Sequence, residues 1–192
     1  MRPIERGEIL DLGAYEEVRD RHRKRIIALK RDRRIRVGDR VTIVFENRDT
    51  LVFQIQEMLR TERISSERGI LGEIEVYSSL LPGPDELSAT LFVEVTDPSR
   101  LAEDLHALVG IDEHVALVLG DRRLRARFEE GRQTADRLAA VQYIRLDVGA
   151  DARALLADPA VPAALEIDHP RYRHRAELPA AMRASLLGDL SD

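Results

Sequence analysis

Two histidine-bearing stretches hold the side chains best suited to chemistry: Asp112-Glu113-His114, and Asp168-His169-Pro170-Arg171-Tyr172-Arg173-His174. Neutral imidazole and carboxylate together suit zinc or non-haem iron. Each stretch also offers a neighbouring carboxylate to hold the second ring nitrogen of a ligating histidine. The spacing of the second stretch is less favourable. On a straight strand, side chains five residues apart point to opposite faces, so His169 and His174 converge only if the chain turns at Pro170–Arg173. The competing expectation is that His169 closes a strand and bonds to backbone while His174 faces water. A third polar cluster is the corner Glu46-Asn47-Arg48-Asp49. It can act as a site. It can equally be a structural network in which Arg48 pairs with a carboxylate and Asn47 or Asp49 caps a helix.

Other chemistries lack their signatures. The chain has no cysteine, which removes disulfides, thiolate catalysis and Cys-ligated metal within it. It has no Gly-rich phosphate loop ending in Lys-Ser or Lys-Thr, no GxGxxG after a strand, no GxSxG and no HExxH. No nucleotide cofactor is expected.

The elements that must position these groups follow from periodicity. Residues 10–34 read as a helix with Asp11 as N-cap, and its basic run Arg19–Arg36 as a solvated face with intrahelical ion pairs. Val37-Gly38-Asp39 reads as a turn and Val41–Phe45 as a strand. Helices are expected at about 50–62 and 66–80, the second ended by Pro82-Gly83-Pro84. On the first of these, Glu57 faces either water or a polar pocket. Strands follow at 87–96, in a 114–128 hairpin, at 138–148, and around Leu165, Ile167 and His169. In the 138–148 strand Gln142 shares the apolar face, so it is a buried amide in need of partners. Short helices are expected at 98–109 and 151–157, a polar connection at 129–136, and a closing helix at 179–187. The expected fold is a single α+β domain spanning 1–192. Residues 1–82 are its mainly helical part and 83–192 its mainly β part. An antiparallel or mixed sheet of about five to six strands carries the N-terminal helix, strand and αα pair.

With 192 residues, 44% of them hydrophobic and 34% charged, the chain has enough apolar material for a core and a well-solvated surface. No apolar run nears the roughly 18 residues that cross a bilayer, and the N-terminus has no signal-like apolar stretch, so the expected location is the cytoplasm. Residues 1–40 carry thirteen Arg or Lys against eight Asp or Glu, inside a chain of net charge -5. Nucleic acid is not the expected partner, because no aromatic side chains interleave with the arginines and the overall charge is negative. The mixed basic-apolar first helix and an open sheet edge lead us to expect a homodimer.

Five blocks carry a family resemblance: FENRDTLVFQIQEMLRTERI at 45–64, LLPGPDELSATLFVEVTD at 80–97, GIDEHVALVLG at 110–120, AAVQYIRLDV at 139–148 and IDHPRYRH at 167–174. Together they resemble the bacterial family DUF3501 over nearly the whole chain. The resemblance brings no known reaction. It implies a redox or peroxide-defence role beside a rubrerythrin-like protein and an iron–sulfur oxidoreductase. It also sharpens the candidate site into a metal centre made by His114, His169, His174 and Glu57. Glu46, Asn47, Asp49, Gln56, Gln142 and Tyr172 would lie around it. Iron is the expected metal, ahead of zinc or manganese. The alternative is a non-catalytic interaction module without a metal.

Overall fold

The computed structural model describes residues 1–95, 99, 101–129, 131 and 138–190. After a short 3-10 turn at Arg6–Glu8 come α1 (Leu12–Arg31), β1 (Arg34–Val37), β2 (Val41–Glu46), α2 (Arg48–Thr61) and α3 (Glu67–Ser78). Then follow β3 (Glu86–Val93), α4 (Leu101–Ala107), a 3-10 turn at Ile111–Glu113, β4 (Val115–Leu119), β5 (Arg122–Arg125) and β6 (Arg127–Phe128). The chain finishes with β7 (Val141–Asp147), α5 (Gly149–Ala157), β8 (Ala163–His169), β9 (Tyr172–Glu177) and α6 (Ala180–Asp189). The class is α+β, as expected. Among the described residues, no helix is long and apolar enough to cross a membrane.

The strands form two antiparallel sheets, not one: β1-β2-β3-β7-β6 and β5-β4-β8-β9. Both contribute to a single apolar cluster. Ile43 and Phe45 of β2, Leu87 and Leu91 of β3, and Ile144 and Leu146 of β7 meet Leu117 of β4, and Leu165 and Ile167 of β8. Leu156 of α5, and Met182 and Leu186 of α6, join the same cluster. The opposite face of the five-stranded sheet is covered by α2 and α3. Leu51, Ile55 and Leu59 of α2 pack on Ile70 and Ile74 of α3, with Ile4, Ile9 and Leu80, and Tyr143 of β7 lies against them. Strand β2 is therefore buried at every residue, which its β-branched sequence VTIVFE suits.

Two boundaries differ from the sequence expectation. The first helix stops at Arg31 and the next residues form an additional strand, β1, paired with β2 from Arg34↔Val44 to Val37↔Val41. The expected second hairpin strand also divides at Ala126. Residues 122–125 pair with β4, whereas Arg127 and Phe128 pair with Arg145 and Ile144 of the other sheet. The backbone amide of Ala126 donates to Val115 O at 2.9 Å, so the chain crosses between sheets at that residue. Alternation of side chains continues through the crossing, so nothing in the residue pattern announces it. Most of the polar connection expected at 129–136 lies outside the described residues, as do residues 96–98 and 100 around the start of α4.

Arg33 departs furthest from the solvated face expected for the basic run. Arg33 is 1% exposed. Its guanidinium donates to Phe45 O at 2.9 Å, Glu46 O at 3.2 Å and Ser185 Oγ at 2.9 Å, and it forms an ion pair with Asp189 of α6. A rigid planar donor fork meets carbonyls and a carboxylate in one place. Removing one member of a buried pair leaves the other charge stranded. Arg33→Met is expected to cost about 3–5 kcal/mol in urea unfolding, and adding Asp189→Leu to recover a large part of that loss.

Candidate functional site

The polar corner is built where β2 ends and α2 begins. Asn47 caps α2: its side chain accepts from the Thr50 amide at 3.1 Å, and Thr50 Oγ1 accepts from the Asn47 amide at 2.9 Å. Asn47 Nδ2 also donates to Asp189 at 3.3 Å. Glu46 is 3% exposed, and its carboxylate accepts from Thr50 Oγ1 at 2.5 Å, Gln54 Nε2 at 2.9 Å and Thr90 Oγ1 at 2.8 Å. Two hydroxyls and an amide thus hold a buried carboxylate by hydrogen bonding. Arg48 reaches outward to Glu8, and Asp49 pairs with Arg25 at 3.2 Å. Gln56 straps down the N-terminal segment. Its carbonyl accepts from Leu10 N at 2.7 Å and its amide donates to Leu10 O at 3.2 Å.

Glu57 faces α1. Arg19 grips its carboxylate with Nε and Nη2, each at 2.8 Å, and the Tyr15 hydroxyl donates to it at 2.7 Å. The guanidinium holds the Glu57 carboxyl below the usual carboxylate range. Burial, together with that carboxylate, pushes the Tyr15 phenol up. Glu57 is a half-buried α1–α2 cross-link. Arg60–Glu16 at 2.5 Å and Arg25–Asp49 continue the same antiparallel ladder.

The histidines separate into two environments. The hairpin turn at Pro170–Arg171 pairs His169 with Tyr172 and Ile167 with His174, so both imidazoles stand on one sheet face. His169 then turns toward the end of α4. Its Nε2–H donates to Val109 O at 3.1 Å, and its Nδ1 accepts from the Arg171 amide at 3.2 Å. Those two bonds define the neutral Nε2–H tautomer. His114 stands edge-on against it, with ring centroids 5.3 Å apart. Burial, with smaller contributions from His114 and Arg171, lowers the pKa of His169.

His174 lies elsewhere, exposed, with its ring 4.4 Å from that of Tyr172. Tyr172 is buried. Its hydroxyl donates to Val37 O at 2.6 Å and accepts from the amides of Arg40 at 2.9 Å and Val41 at 3.2 Å. It therefore fixes the β1–β2 turn of one sheet from the last strand of the other. Gly38, at φ +77°, completes the fit, because a Cβ there would lie 2.4 Å from the Tyr172 hydroxyl and 2.5 Å from His174 Cγ. Gln142 is buried, as its place on the apolar face predicts, and donates to Ala139 O at 2.9 Å.

The structure thus brings His114 and His169 together and leaves His174 and Glu57 apart from them. These four residues do not fit a shared metal in this arrangement: both nitrogens of His169 are bonded to backbone, and Glu57 is committed to Arg19 and Tyr15. Among the described residues, no three His, Asp or Glu side chains are grouped to hold a metal ion. Sequence reasoning missed Arg33, Arg19 and Tyr15. For Arg19 and Tyr15 a signal existed, since the two are one helical turn apart and share a face. Arg33 sits among arginines that face water, and nothing local marks it.

Two measurements check this geometry. Unfolded histidine takes up a proton near pH 6.5, before His169 does in the fold, so its contribution to stability is complete above about 6.5 and is lost as pH falls. His169→Gln is expected to flatten the stability–pH slope between about pH 7 and 5, by at most roughly 1.4 kcal/mol per pH unit. Gly38→Ala is expected to cost about 3 kcal/mol or more by thermal unfolding. Gly110→Ala, also at positive φ but in open space, is expected to cost only about 1–2 kcal/mol.

Comparison with known proteins follows the same lines. A search of curated proteins finds no match. Among solved structures, a protein described as a novel protein of unknown function from Burkholderia pseudomallei K96243 superposes with a TM-score of 0.90 at 34% identity. The match covers 98% of this chain and 100% of that one. A family model described as "Protein of unknown function (DUF3501)" matches residues 3–190. On this near full-length match and the shared fold, the chain belongs to the DUF3501 family.

Proposed function

We propose that the protein is a non-catalytic interaction module that acts in the cytoplasm beside a redox protein partner of the rubrerythrin-like or iron–sulfur kind. One observation carries the non-catalytic part: most of the polar groups that chemistry would need are engaged in holding the fold, with the buried, unpartnered Asp112 Oδ1 beside His114 as the exception. Glu46 takes three hydrogen bonds from within the chain, Gln56 two, and Glu57 three, while both nitrogens of His169 are bonded to backbone. A general acid, base or ligand must offer a free lone pair or proton to a substrate, and these side chains offer theirs to the protein. The redox partner rests on family resemblance alone, an argument of association.

Metal binding at the His114–His169 pair is the alternative, with iron first and zinc or manganese after it. The 5.3 Å ring contact favours it. It requires His169 to release a backbone bond and ligands to come from outside the pair.

Elemental analysis of untagged protein, grown with iron and zinc, separates the two. The expected result is a folded protein without stoichiometric metal, and capture of the redox partner that the His114→Ala, His169→Ala double variant leaves intact. Near-stoichiometric iron that is lost in the double variant would overturn the interaction-module proposal in favour of the metal centre.

A further inference from the structure

Residues 1–10 add neither helix nor strand to the fold beyond the 3-10 turn at Arg6–Glu8. They lie instead as a strap against α2 and α3. Ile4 and Ile9, 5% and 3% exposed, enter the apolar cluster of Leu51, Ile55 and Leu59 on α2 with Ile70 and Ile74 on α3. Between these two anchors, charged side chains find opposite charges on the helices. Arg6 Nε donates to both carboxylate oxygens of Glu67 at 3.0 Å, and Glu8 accepts from Arg48. The strap ends at Leu10, whose amide and carbonyl are both taken by the side-chain amide of Gln56.

The Gln56 contact grips main chain, not a particular side chain. A carboxamide has an acceptor and donors in one plane, which match the N–H and C=O of a single residue. Any peptide carries that pair, so choice of sequence falls to the positions of Ile4, Arg6, Glu8 and Ile9. Main-chain bonding for affinity, with separate places for chosen side chains, is the chemistry of a peptide-binding surface. The strap is also separable in its packing. Ile4 and Ile9 have no part in the larger core between the sheets, while α2 and α3 pack on each other directly. The Arg6–Glu67 pair is well exposed and so holds weakly. A segment with few buried contacts opens at less cost than the whole fold.

We propose that the surface of α2 and α3 is a peptide-binding site, which the chain's own residues 1–10 occupy as an autoinhibitory strap. Its ligand in trans is a partner segment of the same pattern: two branched apolar residues five positions apart, a cation two positions after the first and an anion just before the second. Tethering gives the strap an effective concentration on the order of millimolar, so a free segment gains the site only when the strap is loosened or the partner is held close. Such a site goes beyond the redox-partner proposal and does not rest on it.

A fluorescent peptide of residues 1–11, titrated into the full chain and followed by anisotropy, tests the site. Two variants loosen the strap and leave the surface of α2 and α3 intact. Ile9→Asp carries a carboxylate into the apolar cluster. Leu10→Pro removes the amide that Gln56 accepts, and the preceding Ile9 already has the extended backbone that proline requires. Either variant is expected to bind the peptide at least about tenfold more tightly than the wild-type chain does. Adding Gln56→Leu is expected to weaken that binding by about tenfold, because the backbone pair of the peptide loses its partner. Circular dichroism shows whether each variant folds, and one folded variant suffices for the test. If neither folds, the strap is part of the fold and the proposal fails. It fails equally if a folded variant binds no peptide, if the wild-type chain binds as tightly as the variants, or if Gln56→Leu changes nothing.

Discussion

A guanidinium with almost no access to water holds the molecule's parts in register. Arg33 leaves the end of α1, crosses the β2–α2 corner and ends on α6, so one side chain joins both ends of the chain to its centre. Its charge would be costly alone in that setting, and Asp189 supplies the compensation. The carbonyls of Phe45 and Glu46 and the hydroxyl of Ser185 accept its remaining donors. The same carboxylate takes the amide of Asn47, whose other end caps α2. The cap, the ion pair and the last helix are therefore joined in one network.

That network changes how the polar corner is understood. Four consecutive polar residues between two apolar elements look like a site, because acid, amide and base lie within reach of one another. In the fold each has a different internal task. Glu46 turns toward Thr50 and Thr90, Asn47 caps, Arg48 holds Glu8, and Asp49 holds Arg25. The density of polar groups reflects the number of elements meeting there. Asparagine, threonine and glutamate are residue types that satisfy backbone and each other when water is excluded.

Local chemistry in the sequence was the most legible. Asp11 and Asn47 cap helices, α2 and α3 pair, Gln142 is buried, and Pro170 leads into a hairpin, each for the reason its residue type suggests. The histidine stretch had two readings, and the bonds of His169 to backbone with His174 exposed match the plainer one. Long-range choices were not legible. The splitting of the 122–128 strand between two sheets turns on Ala126, which carries no special backbone signal. The burial of Arg33 depends on a carboxylate 156 residues away, and one sequence gives no means of pairing them.

The two flanks of the double sheet are closed by different means. At one flank the chain itself passes from β5 to β6 through Ala126, so the sheets are tethered covalently. At the other, the hydroxyl of Tyr172 spans from β9 to the β1–β2 turn with three hydrogen bonds. A tether of bonds cannot part, whereas a hydroxyl can let go. The sheets are thus a book with its spine at Ala126 and its clasp at Tyr172. An opening that released the Tyr172 hydroxyl would bare the amides of Arg40 and Val41 to solvent exchange.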